Sequence, residues 1–196
     1  MDTAMELWDV FAKRRTIRRF SAPPGEEQLG RLLKAGSFAP SAGNKQAWFV
    51  VVVTDPATRE KIGTIKHTQN SAFTPDTEKG RALLAAQKEV FRNSTSLVVY
   101  TFAPEEKDPH RYDMGSAWLF VENFCLAAVD AGLGSQLFGL WDEFEEQVNR
   151  LLGVPAKFRQ VIGINVGVPH PDYRPPEKLY KAEAKWIFRE TWKAAD

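Results

Sequence analysis

Residues 13–20 read KRRTIRRF: five cations in eight positions, with Thr16 and Ile17 between them and Phe20 at the end. Net charge over all 196 residues is only +1, so this positive charge is local. A local anionic target would account for it. Three readings are open. A helix that ends near Lys13 favours cations at its C-terminus, and the remainder is then a solvated edge. A nucleic-acid patch needs a companion basic stripe with stacking aromatics, and none follows. A phosphate clamp needs arginines near alternation with a hydroxyl between them. A phosphate monoester carries roughly −1.5 to −2 charge and three acceptor oxygens, and a guanidinium fork binds such oxygens in pairs.

Two stretches distant from that run favour the clamp. APSAGNKQAW (39–48) offers backbone amides, Ser41 and Asn44 around a glycine turn, just before an apolar run. HPDYRPP (170–176) holds Arg174 between prolines. Between them the chain alternates helix and strand signals. Thr3 and Glu6 have capping-box spacing ahead of Leu7, Val10 and Phe11. A second helix is predicted from about Pro24 to Ala39, on Leu29, Leu32, Leu33 and Gly36. WFVVVVT (48–54) reads as a buried strand, and Asp55–Pro56 opens a helix carrying Ile62 and Ile65. Residues 66–80 are polar and aperiodic and read as a mobile loop. A helix over Arg81–Arg92 and a strand over SLVVYTFA (96–103) follow.

PEEKDPHRY (104–112) reads as a loop with two prolines. From Asp113 a helix apolar nearly all round runs to GLGS, which places it in the middle of the molecule. QLFGLW (136–141) is a third strand. DEFEEQVNRLLG (142–153) is a helix capped by Asp142 with Glu145 and stopped by Gly153. QVIGINVGVP (160–169) is a fourth strand. The tail from His170 carries Tyr180, Trp186, Ile187, Phe188 and Trp192, and so much apolar surface needs cover. A second subunit and the chain's own domain are both open as that cover. Two helices before the first strand and long connections favour an α+β sheet sandwiched by helices over a doubly wound fold.

Composition is that of a globular chain, 43% hydrophobic and 26% charged. Cys125 is the single cysteine, so no intrachain disulfide forms, and it reads as an inert core thiol. A cytoplasmic location is the expectation, since the N-terminal residues lack the signal-peptide pattern and no apolar run approaches ~20 residues. His67, His110 and His170 are scattered and read as surface loop residues rather than metal ligands. The chain has no G-x-x-x-x-G-K-[ST], no G-x-S-x-G, and in GLGSQLFG no third glycine of a dinucleotide fingerprint. If the protein is an enzyme, a bound cofactor carries the difficult chemistry.

At RRTIRRF (14–20) and APSAGNKQAW the sequence resembles the FMN-dependent nitroreductase family, with Thr16 for a serine and Ala47 for a proline. LAAVDAGLGSQLFG (126–139) and VIGINVGVPHPDYRPP (161–176) are similar to later segments of that family. The resemblance spans roughly residues 8 to 176. It implies an α+β, nitroreductase-like fold with a central mixed or antiparallel sheet sandwiched by helices. It also implies a homodimer with FMN at the seam between subunits. Residues 1–176 would form the FMN-binding domain and 177–196 a C-terminal arm on the partner subunit.

Arg14 and Thr16 would hold phosphate and ribityl oxygens, Arg15 would share the phosphate, and Arg174 would contact it. Arg18 would lie by the flavin N1 and O2 edge as an electrostatic stabiliser or as a plain phosphate ligand. Pro40, Ser41, Ala42 and Asn44 would cover the ring from the other subunit, and the Gly139–Leu140 backbone would face N5. A lysine that some members place beside N1 and O2 has two candidates, Lys66 and Lys79. Phe73, Tyr112 and Trp141 are candidate walls, with 66–80 and 104–112 as lids.

The implied reaction is ping-pong: NADH or NADPH reduces the flavin, and a nitroaromatic, a quinone or a similar acceptor reoxidises it. The resemblance implies no catalytic side chain beyond Arg18 as a stabiliser, and neither nucleic acid, membrane nor metal is expected as a partner. Reductive dehalogenation, enone reduction, flavin fragmentation and a non-catalytic flavin-binding module are the alternatives on the same scaffold.

Overall fold

The computed structural model describes residues 5–104, 108–183 and 186–191. Thr3, Trp192 and the acidic centre of 104–112 lie outside those residues. Helix α1 spans Leu7–Lys13 and strand β1 spans Phe20–Ala22. Then come α2 Glu26–Ser37, a 3-10 turn Ala42–Asn44, β2 Phe49–Val53, α3 Pro56–Ser71 and α4 Glu78–Arg92. The second half holds β3 Thr95–Phe102, α5 Arg111–Asp130, β4 Gly134–Phe138, α6 Glu143–Leu152 and β5 Phe158–Pro169.

Strand β5 organises the sheet, because β1, β3 and β4 all pair with it, and β2 pairs with β3. Every strand pair is antiparallel. One parallel bridge, Thr16 to Ser135, joins the basic run to β4. Strand β3 shows why helices cover both faces. Its side chains alternate, as the pleat requires. Leu97 and Val99 pack with Phe120, Phe124 and Leu32 of α5 and α2, whereas Val98 and Tyr100 pack with Ile62, Phe91 and Val148 of α3, α4 and α6. The sandwich expected from the sequence is therefore present, with α5 as the buried helix. Gly36 lets α2 close on it, since a Cβ there would meet the Phe120 ring at 2.6 Å.

The structure corrects several expectations. Residues 66–80 are not a loop: α3 runs on to Ser71 and α4 starts at Glu78, leaving only 72–77 as the connection. Caps explain both starts. The Thr58 N–H donates to Asp55 at 2.7 Å, and the Gly80 N–H donates to the Thr77 hydroxyl at 3.1 Å, each satisfying a helix-start donor. Asp142 makes no side-chain cap and sits at φ 52°. Gly153 does end α6, at φ 66°, a left-handed position that glycine takes freely. His67 lies within α3 and His110 is the N-cap of α5. The three-residue β1 carries too short a pattern to be seen in sequence.

Candidate functional site

The basic run leaves α1 at Arg14, whose N–H still donates to the Val10 carbonyl. It then lies extended beside β4. The Ile17 N–H donates to the Ser135 carbonyl at 2.9 Å. The Ile17 side chain covers Gly134, where a Cβ would come within 2.5 Å of it. With Ile17 turned inward, period-two alternation sends Thr16 and Arg18 the other way. Arg14, Arg15, Thr16 and Arg18 line one pocket of about 310 Å³.

The opposite wall of that pocket comes from the chain after β5. His170 N–H donates to the Arg19 carbonyl at 3.0 Å, and the Tyr173 hydroxyl lies 3.5 Å from the Thr16 carbonyl. This return path brings Pro175, Pro176 and Glu177 to the pocket. Arg14 has a loose ion pair, 3.9 Å to the exposed Glu122. Among the described residues no salt bridge engages Arg15 or Arg18. Arg18 also borders a second cavity of about 740 Å³, walled by α4 through Leu83, Leu84 and Val90.

Other expected site residues do not line that pocket. Arg174 is exposed, and its guanidinium donates to the Tyr173 carbonyl at 3.1 Å and to the Pro171 carbonyl. Pro40, Ser41, Ala42 and Asn44 form a tight turn in which the Ser41 hydroxyl accepts from the Gln46 N–H at 3.0 Å. Gly43, Asn44 and Gln46 all have positive φ there. Lys45 ties this turn to Asp113 at 3.5 Å, on the first turn of α5. Glu122, the partner of Arg14, sits further along that helix. At 1.5 Å per residue the two carboxylates are about 13 Å apart along the axis. Within one chain the turn meets the start of α5 and Arg14 meets its middle.

Gly139 and Leu140 follow β4, beyond the Ser135 bridge. That places them about 13 Å further along extended chain. Here the structure places Lys66, one of the two candidate lysines, and adds Gln69. Lys66 Nζ donates to the Gly139 carbonyl at 2.7 Å and Gln69 Nε2 at 3.2 Å. Gln69 Oε1 accepts from the Trp141 N–H at 3.2 Å. Burial pushes the Lys66 ammonium down to about 8, because a low-dielectric site disfavours the charge. That charge lies 4.7 Å from the centre of the Trp141 ring, within reach of the ring's electron-rich face. Helical spacing alone links them: Arg59, Ile62, Lys66 and Gln69 form one buried stripe, mostly polar, whose burial the folded chain reveals. Lys79 is exposed on α4. Phe73 and Trp141 pack together at 5.9 Å, whereas Tyr112 packs on His110 at the start of α5. Burial pushes the Cys125 thiol up to about 11, in keeping with an unreactive core thiol.

Among the described residues no group of His, Cys, Asp or Glu could hold a metal ion, and no helix is long and apolar enough to cross a membrane. Residues 11–168 match the profile of the Nitroreductase family. A 5,6-dimethylbenzimidazole synthase of Rhodospirillum rubrum is 30% identical over 182 residues, 86% of this chain and 84% of the relative. An NADH dehydrogenase of Thermus thermophilus is 29% identical over 183 residues, 85% of this chain and 88% of the relative. Among solved structures, an oxidised iodotyrosine deiodinase bound to FMN and 3-iodo-L-tyrosine superposes with a TM-score of 0.75 at 26% identity. That match covers 95% of this chain and 100% of the other.

Proposed function

The chain belongs to the nitroreductase family, and from that premise we propose that it is an FMN-dependent oxidoreductase. It takes electrons from NADH or NADPH and passes them to a nitroaromatic, a quinone or a similar acceptor, working as a homodimer. The observation that carries this reading is the basic pocket, where three arginines and Thr16 converge. Arg15 and Arg18 have no carboxylate partner among the described residues, so the donor set suits a phosphate dianion. Bound FMN would supply the acceptance of hydride at N5 and its release to the second substrate.

The chain's own residues bind and orient. Arg14, Arg15 and Thr16 hold the phosphate and ribityl oxygens. Arg18, at the border of the two cavities, is a fixed cation for negative charge at the N1 and O2 edge, acting by electrostatic preorganisation. The Gly139–Leu140 backbone would lie at the reacting edge of the flavin. The turn at Pro40, Ser41, Ala42 and Asn44, remote from the pocket in its own chain, would cover the flavin of the partner. Exposed apolar side chains support association, with Trp8 of α1 at 82% and Leu179 of the tail at 87% exposure; surface of that kind favours burial against another chain. No histidine is placed as a proton donor, so water fills that role.

The test is the visible spectrum of the purified protein, followed by NADPH and then an acceptor. A yellow protein that bleaches with NADPH and recovers with a nitroaromatic or a quinone is expected. A colourless protein that takes up no added FMN would overturn the proposal. Reductive dehalogenation is the second reading, favoured by the likeness to the deiodinase. It predicts faster reoxidation by a halogenated phenol than by a nitroaromatic.

A further inference from the structure

The buried polar half of α3 is directed at one short stretch of backbone. Lys66, 6% exposed, and Gln69, fully buried, both donate to the Gly139 carbonyl. Gln69 also holds the Trp141 N–H. Burying an ammonium and an amide is costly unless each finds partners, and here the partners are successive peptide groups. No described peptide bond is cis. In a trans peptide the N–H and C=O point in opposite directions. With the Gly139 carbonyl turned to α3, the Leu140 N–H on the same plane points away from it. With the Trp141 N–H turned to α3, the Leu140 carbonyl points away as well. No hydrogen bond among the described residues takes up the Leu140 N–H or its carbonyl.

From this geometry we infer that Lys66 and Gln69 are positioning residues. They lock two consecutive peptide planes so that Leu140 presents a donor and an acceptor together on the side away from α3. Such a pair suits a ring nitrogen that accepts a hydrogen bond in its oxidised form and donates one in its reduced form. The identity of that nitrogen, flavin N5, rests on the proposed function; the locking of the planes does not. Lys66 acts through the backbone, from behind the Gly139–Trp141 segment. The Gln69 side chain bridges both planes, which is why it cannot be shortened or turned without freeing one of them.

The experiment is amide exchange at Leu140 and Trp141 in the full chain, with and without added FMN, for the parent, Lys66→Met, Gln69→Leu and Gln69→Glu. Trp141 exchange is expected to rise about five- to tenfold in Gln69→Leu and several-fold in Lys66→Met, the upper part of the range that one hydrogen bond supplies. Gln69→Glu keeps the acceptor for the Trp141 N–H but loses a donor, so it should retain Trp141 protection. It reads the second plane even where Lys66→Met folds poorly. With FMN the Leu140 amide should become protected in the parent and less so in Lys66→Met. The ratio of oxidised to reduced flavin affinity should change about tenfold in that variant, which is about 30 mV for a two-electron couple. Trp141 exchange within twofold of the parent in both Lys66→Met and Gln69→Leu would overturn the inference. A parent that binds no FMN strikes the proposed function instead, and leaves the exchange comparison to decide the locking by itself.

Discussion

At Arg14 the first helix ends and the extended basic run begins, so one residue both closes α1 and opens the pocket. Among the described residues its guanidinium has one loose pair, with exposed Glu122. Arg14→Ala should lower FMN affinity by roughly 10- to 100-fold, the range for a hydrogen bond to a charged group, read by flavin fluorescence titration. Arg174→Ala should cost less, because that side chain already serves carbonyls of its own turn. An equal or larger loss in Arg174→Ala would show that the turn opens on binding. Lys66 sets a pH dependence. Its folded pKa, about 8, lies below the ordinary 10.5, because burial disfavours the charge. Below the folded value both states are protonated and the fold bears the full penalty. Between about 8 and 10.5 the folded chain releases a proton that the unfolded chain keeps, so stability rises with pH there. The difference in urea midpoint between the parent and Lys66→Met should move in the parent's favour over that interval. A flat difference would remove the buried charge from the account. The arginines can be read in the sequence because their spacing is itself the signal. The burial of Lys66 cannot, because a polar residue inside a polar stretch looks solvated until the helix is seen to bury it; the resemblance offered Lys66 only as one of two lysines.

Among the elements, β4 is the hinge between fold and site. Its first residue, Gly134, accepts the Ile17 side chain, and the Ser135 carbonyl then fixes the register of the basic run. A one-residue slip would turn Thr16 and Arg18 to the wrong side. Gly134→Val should therefore destabilise the protein by about 1–3 kcal/mol through overpacking and weaken flavin binding with it. Gly30 has open space around its Cα and lies exposed in α2. Gly30→Ala should stabilise by about 0.5–1 kcal/mol and leave flavin binding unchanged. Both are read by denaturant melts with a parallel FMN titration. If Gly134→Val bound FMN like the parent, the packing of Ile17 would not be what orients the run. The strands β2, β3 and β5 can be recognised in sequence as short β-branched runs. The second half of α3 cannot, since its buried stripe is mostly polar and the apolar period disappears after Ile65.

At the scale of the full chain, the question is what covers the apolar surface that one copy leaves open. Tyr180 and Trp186 of the tail remain exposed, as do Leu7 and Trp8 of α1 and Trp118 and Leu119 of α5. Of the two covers left open by the sequence, the described part of the tail does not bury these side chains on its own domain. Removing residues 177–196 should shift the species seen in sedimentation from dimer toward monomer; an intact dimer would assign the interface to the helices alone. Most elements, the helix-covered sheet and the basic character of the pocket follow from the order of residues. They depend on local periodicity and on residue type at short spacing, which a linear pattern records. Three features emerge in the folded chain alone: α3 continues through 66–71 and grips Gly139, Ile17 packs on Gly134, and the 40–44 turn lies far from Arg14 in its own chain. Each is a relation between residues far apart in sequence, and nothing in the pattern around one residue states which distant backbone it will meet.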